Sequence, residues 1–198
     1  MAGKLKREYY LGDNVVSIAR SLLGKTLMTN IKGVITGGKI IETEAYSGLV
    51  DKASHAWPNK KTARTEVMFE PGGIAYVYLC YGIHRLFNIV TNVKGKPDAV
   101  LVRAIEPTVG IEHIIKRRNA KKLTEKLSSG PAKVSSCLGI DLDHNTQPLT
   151  GRKIWIENGI ENHHSIVETT RIGVDYAGED ALLPWRFYIK DNSYISRK

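Results

Sequence analysis

Cysteine is almost missing from this chain of 198 residues, with only Cys80 and Cys137 present. Two thiols so far apart exclude a disulfide-stapled scaffold and a Cys-based zinc site, and they suit a reducing compartment. A cytoplasmic setting is expected, on the nucleoid if the source is bacterial. Long apolar runs are missing as well. No segment approaches the roughly 20 uninterrupted apolar residues that a membrane-spanning helix needs. Met1 to Tyr10 is basic but leads into no apolar core of a signal peptide. Among the six histidines, His55, His84, His113, His144, His163 and His164, there is no His-x-x-x-His pair and no His/Cys ligand spacing, so no metal is expected. Neither a Walker loop nor a strand-linked Gly-x-Gly-x-x-Gly is present, and no nucleotide cofactor or other cofactor is expected. Acid is the last shortage. Asp and Glu number 20 against 29 Lys and Arg, a net charge of +9. That balance favours a polyanionic partner, and with no membrane segment the partner expected is nucleic acid.

What is present is enough apolar residue, 42%, for one full core. The expectation is a single domain over 1–198, with 1–10 as a flexible basic N-terminus. Val15, Ile18, Ala19 and Leu22 follow helical spacing, with Asp13 placed to cap the helix and Gly24 to end it. Thr26 to Asn30 and Val34 to Tyr46 read as a hairpin turning near Lys32-Gly33, with a kink or bulge at Gly37-Gly38. Residues 51–66 read as a polar loop carrying Lys60, Lys61 and Arg64. Ile74 to Gly82 is an aromatic strand. Leu86 to Val93 and Ala99 to Ile105 form a second hairpin. Thr108 is placed to cap a helix bearing Ile111, Ile114 and Ile115 that becomes strongly basic. A further helix opens at Ser129-Gly130-Pro131, with Lys133 in its first turn, and closes near Gly139. Lys153 to Glu157 and Arg186 to Ile189 read as strands. Helices and strands mix without a βαβ rhythm, which predicts an α+β fold.

Chemistry concentrates in Lys39-Ile40-Ile41-Glu42-Thr43-Glu44-Ala45-Tyr46. Strict alternation places Ile40, Glu42, Glu44 and Tyr46 on one face and Lys39, Ile41, Thr43 and Ala45 on the other. Strand carboxylates most often face water. Against that stands the next aromatic strand, where Tyr76, Tyr78 and Tyr81 form either a core or a stacking platform.

Several stretches in order now carry a resemblance. They are Ile41-Glu42-Thr43-Glu44-Ala45-Tyr46, Ala53-Ser54-His55, Tyr76-Val77-Tyr78 with Tyr81-Gly82, Asn88, Val100 to Pro107, Ser129-Gly130-Pro131-Ala132-Lys133, Arg171-Ile172-Gly173-Val174 with Ala177-Gly178-Glu179, and Arg186-Phe187-Tyr188. From about Leu11 to Ser196 the sequence resembles the 3-methyladenine (alkyladenine) DNA glycosylase family, which excises alkylated and other damaged purines. The resemblance implies one mixed α/β domain around a curved, largely antiparallel sheet with flanking helices. It implies that Glu44 is the general base for the attacking water, and that Arg103 and the backbone carbonyl of Ile172 help to hold that water. Tyr46, His55 and Tyr78 match the pocket for the extruded base, Asn88 the residue that screens out normal guanine, and Tyr81 the wedge that replaces the flipped nucleotide. The chain departs from the family at Ile83-His84-Arg85-Leu86-Phe87, where the family varies between aromatic and small apolar residues. His84 is placed to stack on DNA or bond a phosphate, and Lys60, Arg64 and Lys133 to meet phosphates.

The implied partner is double-stranded DNA containing damaged purines, acted on by a monomer. A base inside a duplex must be flipped out, at a cost of a few kcal/mol. Aromatic stacking returns roughly 1–3 kcal/mol per base, and a cationic alkylated purine is further favoured between electron-rich rings. A Glu in place of a Schiff-base lysine predicts a monofunctional hydrolase that leaves an abasic site. Two other classes stay open on sequence alone: a non-catalytic nucleic-acid-binding module, and a nucleoside hydrolase acting on free small molecules.

Overall fold

The computed structural model describes residues 3–159 and 165–197; His163 and His164 lie outside them. In chain order, α1 (Arg7–Tyr10), α2 (Val15–Ser21), α3 (Ile111–Arg117) and α4 (Pro131–Leu138) accompany β1 (Thr26–Ile31), β2 (Val34–Ser47), β3 (Ala75–Cys80), β4 (His84–Thr91), β5 (Asp98–Val109), β6 (Ile154–Glu157), β7 (Ile166–Thr169) and β8 (Arg186–Ile189). The strands form one sheet in the order β3-β4-β5-β2-β1-β6, with β8 added to β2 and β7 to β8. Every strand pair among the described residues is antiparallel. The expected α+β architecture is therefore the one observed.

β2 organises the sheet because it is long enough to serve several neighbours. Its first half pairs with β1, its Glu42–Glu44 stretch with β8, and β5 runs along it from Gly37 to Ser47. The β1–β2 turn is built on Lys32 and Gly33, with φ of 54° and 79°, the left-handed pair that suits the twist of a two-residue hairpin. At Gly38 the backbone of β5 comes so close that a Cβ would lie 2.8 Å from the Glu106 carbonyl oxygen. The β2–β5 register shifts there and again between Ile40 and Thr43, skipping Ile41 and Arg103. Such irregularities bend a sheet and re-aim its side chains.

That bend corrects the strict alternation expected of β2. Ile40 packs in the main core with Ala45, Val100, Val102 and Phe187, whereas Ile41 joins a separate cluster with Ala104, Ile189 and Ile195. Main-core residues of α2 (Val15, Ile18, Ala19) and of α4 (Val134, Leu138) cover one face of the sheet. The Thr43 hydroxyl donates to the Ala19 carbonyl at 2.8 Å and ties α2 to β2. The opposite face of β2 is left for Glu44 and Tyr46.

Three local expectations are also corrected. Asn14 rather than Asp13 caps α2, its Oδ1 accepting from the Ser17 N–H at 3.0 Å. Thr108 remains in β5, and Gly110, with φ 65°, opens α3. The segment expected to be a flexible basic terminus is docked from Lys4 onward, because two of its residues are apolar anchors. Leu5 is buried and bonds the Ile156 carbonyl, and Tyr10 is wholly buried with its carbonyl accepting from Asn92. By contrast, α4 starts at Pro131 and ends on Gly139, with φ 71°, as its sequence implies.

Candidate active site

The site lies where β2, β5 and the segment 171–173 meet. Glu44 has no solvent exposure, and an ionised carboxylate at such a place must be hydrogen-bonded. Its Oε2 accepts from the Tyr46 hydroxyl at 2.7 Å and from Arg103 Nη1 at 3.1 Å, and its Oε1 accepts from the Ile172 N–H at 2.8 Å. With one protein donor on Oε1, that oxygen keeps acceptor capacity for another proton donor. Burial first, and the Glu44 carboxylate second, hold the Tyr46 phenol well above its ordinary pKa. Tyr46 therefore stays a donor. Burial opposes the Arg103 charge, but Glu44 and then Glu42 raise its pKa overall.

Above this floor stands an aromatic wall. Tyr76 and Tyr78 are two residues apart on β3 and share a face, their ring centroids 5.2 Å apart. Tyr76 is core, packed with Met68, Val90 and Ala99, yet its hydroxyl reaches His55 Nδ1 at 3.0 Å. His55 meets Tyr78 edge to face at 4.7 Å. Its Nε2 is 3.2 Å from Arg64 Nη2. Because a guanidinium only donates, Nε2 accepts and the imidazole proton sits on Nδ1, facing Tyr76. Desolvation, then the Arg64 charge, push the imidazole down to about 4, so it is neutral at physiological pH. The Arg64 guanidinium also covers the Tyr78 ring at 4.7 Å. Asn88 is buried, its Nδ2 donating to the Tyr76 carbonyl at 3.2 Å.

A groove of about 1620 Å³ joins these parts; Tyr46, His55, Arg64, Tyr78, Tyr81, His84, Asn88, Arg103, Lys133 and Ile172 all line it. Tyr81 stands at the tip of the β3–β4 hairpin, 88% exposed, between the exposed apolar side chains of Leu79 and Ile83. Tyr81 and Gly82 take φ of 51° and 73°, a left-handed turn that projects the tip outward. His84 pairs with Cys80 in the last rung before that turn. Of the site residues expected from the sequence, Lys60 and Glu44 do not line the groove; Glu44 is buried behind Tyr46, Arg103 and Ile172, which do.

Three groups were not legible as site residues. Asp51 and Arg171 form a fully buried bidentate pair, at 2.5 and 2.8 Å. Arg171 also donates to the carbonyls of Ala45 and Asp180 and lies 4.8 Å from the Tyr46 ring. Next to it in sequence, Ile172 is thereby fixed against Glu44. Glu42, with Arg186 and Ser196, lies behind Arg103. Tyr176, exposed at the groove, donates to the Ala53 carbonyl at 3.0 Å. The motif positions of Arg171 and Arg186 were visible in the sequence, but their partners come from distant segments.

A buried, three-donor carboxylate below an aromatic pocket suits hydrolysis of a bond next to a flat ring. Comparison with known proteins agrees. The family model described as methylpurine-DNA glycosylase matches residues 9–193. A protein of Clostridium botulinum provisionally named 3-methyladenine DNA glycosylase is 45% identical, over 98% of this chain and 99% of its own. One of Alkaliphilus oremlandii with the same name is 45% identical over 98% and 100%, and one of Chlamydia felis 47% identical over 93% and 95%. The molecule is thus a DNA glycosylase, an enzyme that hydrolyses N-glycosyl bonds. It belongs to the methylpurine-DNA glycosylase family.

Proposed function

We propose that this enzyme flips damaged purines, whether alkylated, deaminated or etheno-modified, out of duplex DNA and hydrolyses the bond from base to deoxyribose with a water activated by Glu44. The observation that carries this reading is the Glu44 carboxylate, held by Tyr46, Arg103 and the Ile172 N–H at the floor of an aromatic pocket. In the reaction, the C1′–N bond breaks with its electron pair leaving on the purine. Water oxygen bonds to C1′, and its proton passes to Glu44. The oxocarbenium-like sugar is stabilised by the same carboxylate. General-base help of this kind is worth ~10²–10⁴ in rate. The Ile172 carbonyl and Arg103 help to hold the water.

Tyr46, His55 and Tyr78 enclose the flipped purine, with the His55 imidazole neutral beside it. Asn88, pinned by the Tyr76 carbonyl, opposes the extra exocyclic amino group of guanine. Tyr81 fills the gap left in the duplex. His84, Arg64 and Lys133 serve the flanking backbone, with Lys60 farther out. The enzyme acts as a monomer and leaves an abasic site without cutting the strand, since Glu44 forms no Schiff base.

The test is single-turnover release of base from a labelled duplex bearing one hypoxanthine, one ethenoadenine or one 3-methyladenine, with alkali to reveal abasic sites. Glu44→Gln is expected to lower excision by at least about a hundredfold while retaining lesion-DNA binding. Undiminished turnover by that variant removes Glu44 from the base role. Tight, salt-sensitive binding with no excision of any lesion by the wild type favours a binding module instead.

A further inference from the structure

Glu42 has no solvent exposure and takes four hydrogen bonds. Its Oε1 accepts from Arg103 Nε at 3.3 Å, Arg186 Nη1 at 2.9 Å and Ser196 Oγ at 3.0 Å, and its Oε2 from the Ser196 N–H at 2.7 Å. Half of these bonds come from one residue beyond β8. Ser196 also receives Arg103 Nη2 at 3.4 Å. The following residue, Arg197, accepts from Arg186 Nη1 at 2.8 Å through its carbonyl. Arg186 in turn donates through Nε to the Thr170 carbonyl at 2.8 Å, two residues before the N–H that holds Glu44. Ile195 anchors this segment in the cluster of Ile41, Ala104 and Ile189, and Asn192 ties it to Glu106 at 3.3 Å.

We propose that the segment 192–197 is a latch on the catalytic centre, in which Ser196 fixes Glu42 and thereby makes Glu42 the positioning residue for Arg103. This rests on the reading of Glu44 as the base. The physical reason lies in the shape of a guanidinium. Arg103 has Nη1 on Glu44 and its Nε edge on Glu42, so the two carboxylates divide its donors. An arginine released from one carboxylate closes on the other with two parallel bonds. If Glu42 lets go, Arg103 swings onto Glu44 with both edges and occupies the acceptor sites that must take the proton from water. The latch thus keeps Arg103 on the Oε2 of Glu44 and leaves Oε1 with acceptor capacity for the water. Arg186 links the same latch to the segment carrying Ile172.

The decisive variants leave Glu42 and Arg103 in place. Ser196→Pro removes both the N–H and the hydroxyl, Ser196→Ala removes the hydroxyl alone, and Ser196→Thr keeps both. Two readouts are taken on the whole protein: the single-turnover excision rate at saturating enzyme beside the half-saturating concentration, and the NMR resonance of Arg103 Nε–H, assigned by its loss in Arg103→Lys. The expected result is a rate loss of tenfold or more for Ser196→Pro and about threefold for Ser196→Ala. Half-saturation stays within twofold throughout, and Ser196→Thr stays near wild type. The Arg103 resonance shifts in the Pro and Ala variants and not in Thr. A wild-type rate in both Ser196→Pro and Ser196→Ala overturns the latch, as does an unmoved resonance or a loss that only follows the fraction of folded protein. If the wild type itself releases no base, the proposed function fails, and the resonance still decides the latch.

Discussion

Single residues in this pocket owe their chemistry to what surrounds them more than to their type, and His55 is the sharpest case. An ordinary imidazole titrates at 6.5, but in the fold it is pushed down to about 4 by desolvation and then by Arg64. Above pH 6.5 the ring is neutral whether the chain is folded or not. As pH falls, the unfolded chain takes up a proton that the folded protein refuses. His55 therefore withdraws stability from about pH 6.5 down to about 4. The expected outcome is a His55 NMR signal that stays at its neutral position from pH 8 to pH 5; a midpoint near 6.5 contradicts the packing described. The sequence showed that His55 stood in a motif. It did not show the tautomer, because Tyr76 and Arg64 arrive from elsewhere in the chain.

At the scale of elements, the β3–β4 hairpin separates function from stability. Tyr81 adopts a left-handed φ of 51° and is almost wholly exposed, so the fold gains little from its ring. Asn tolerates that backbone conformation better than Tyr. Tyr81→Asn is expected to keep or slightly raise the midpoint of urea unfolding while slowing excision of well-paired lesions about tenfold, a loss of about 1.4 kcal/mol in the barrier. A wild-type rate on such lesions argues against the wedge.

The Asp51–Arg171 pair behaves in the opposite way, since it joins the loop after β2 to the segment before Ile172. Removing one partner leaves a buried, uncompensated charge. Asp51→Ala is expected to cost about 3–5 kcal/mol in urea unfolding. The hairpins and α4 were legible because turn residues mark them locally. The face reversal within β2 was not, since it depends on the skipped residues Ile41 and Arg103 and on the neighbours β5 and β8.

For the molecule as a whole, the net charge of +9 predicts how DNA binding responds to salt. Each neutralised phosphate contributes a slope of about −0.9, so a footprint of about five phosphates weakens binding roughly 500-fold between 50 and 200 mM salt. Titration of an undamaged duplex measures this, and a flat response excludes the groove as a backbone track. The sequence by itself determined the class of fold, the hairpin turns, the basic character and the motif that places Glu44 beside Tyr46. Each of these rests on residues close together in the chain or on composition. Only the tertiary structure decided that Glu42 is sealed behind Arg103 by Arg186 and Ser196, that Arg64 caps Tyr78, and that Arg171 pins Ile172. Those choices are made by hydrogen bonds across long stretches of chain, and a buried charge selects its partners by distance and geometry after the backbone has brought them together.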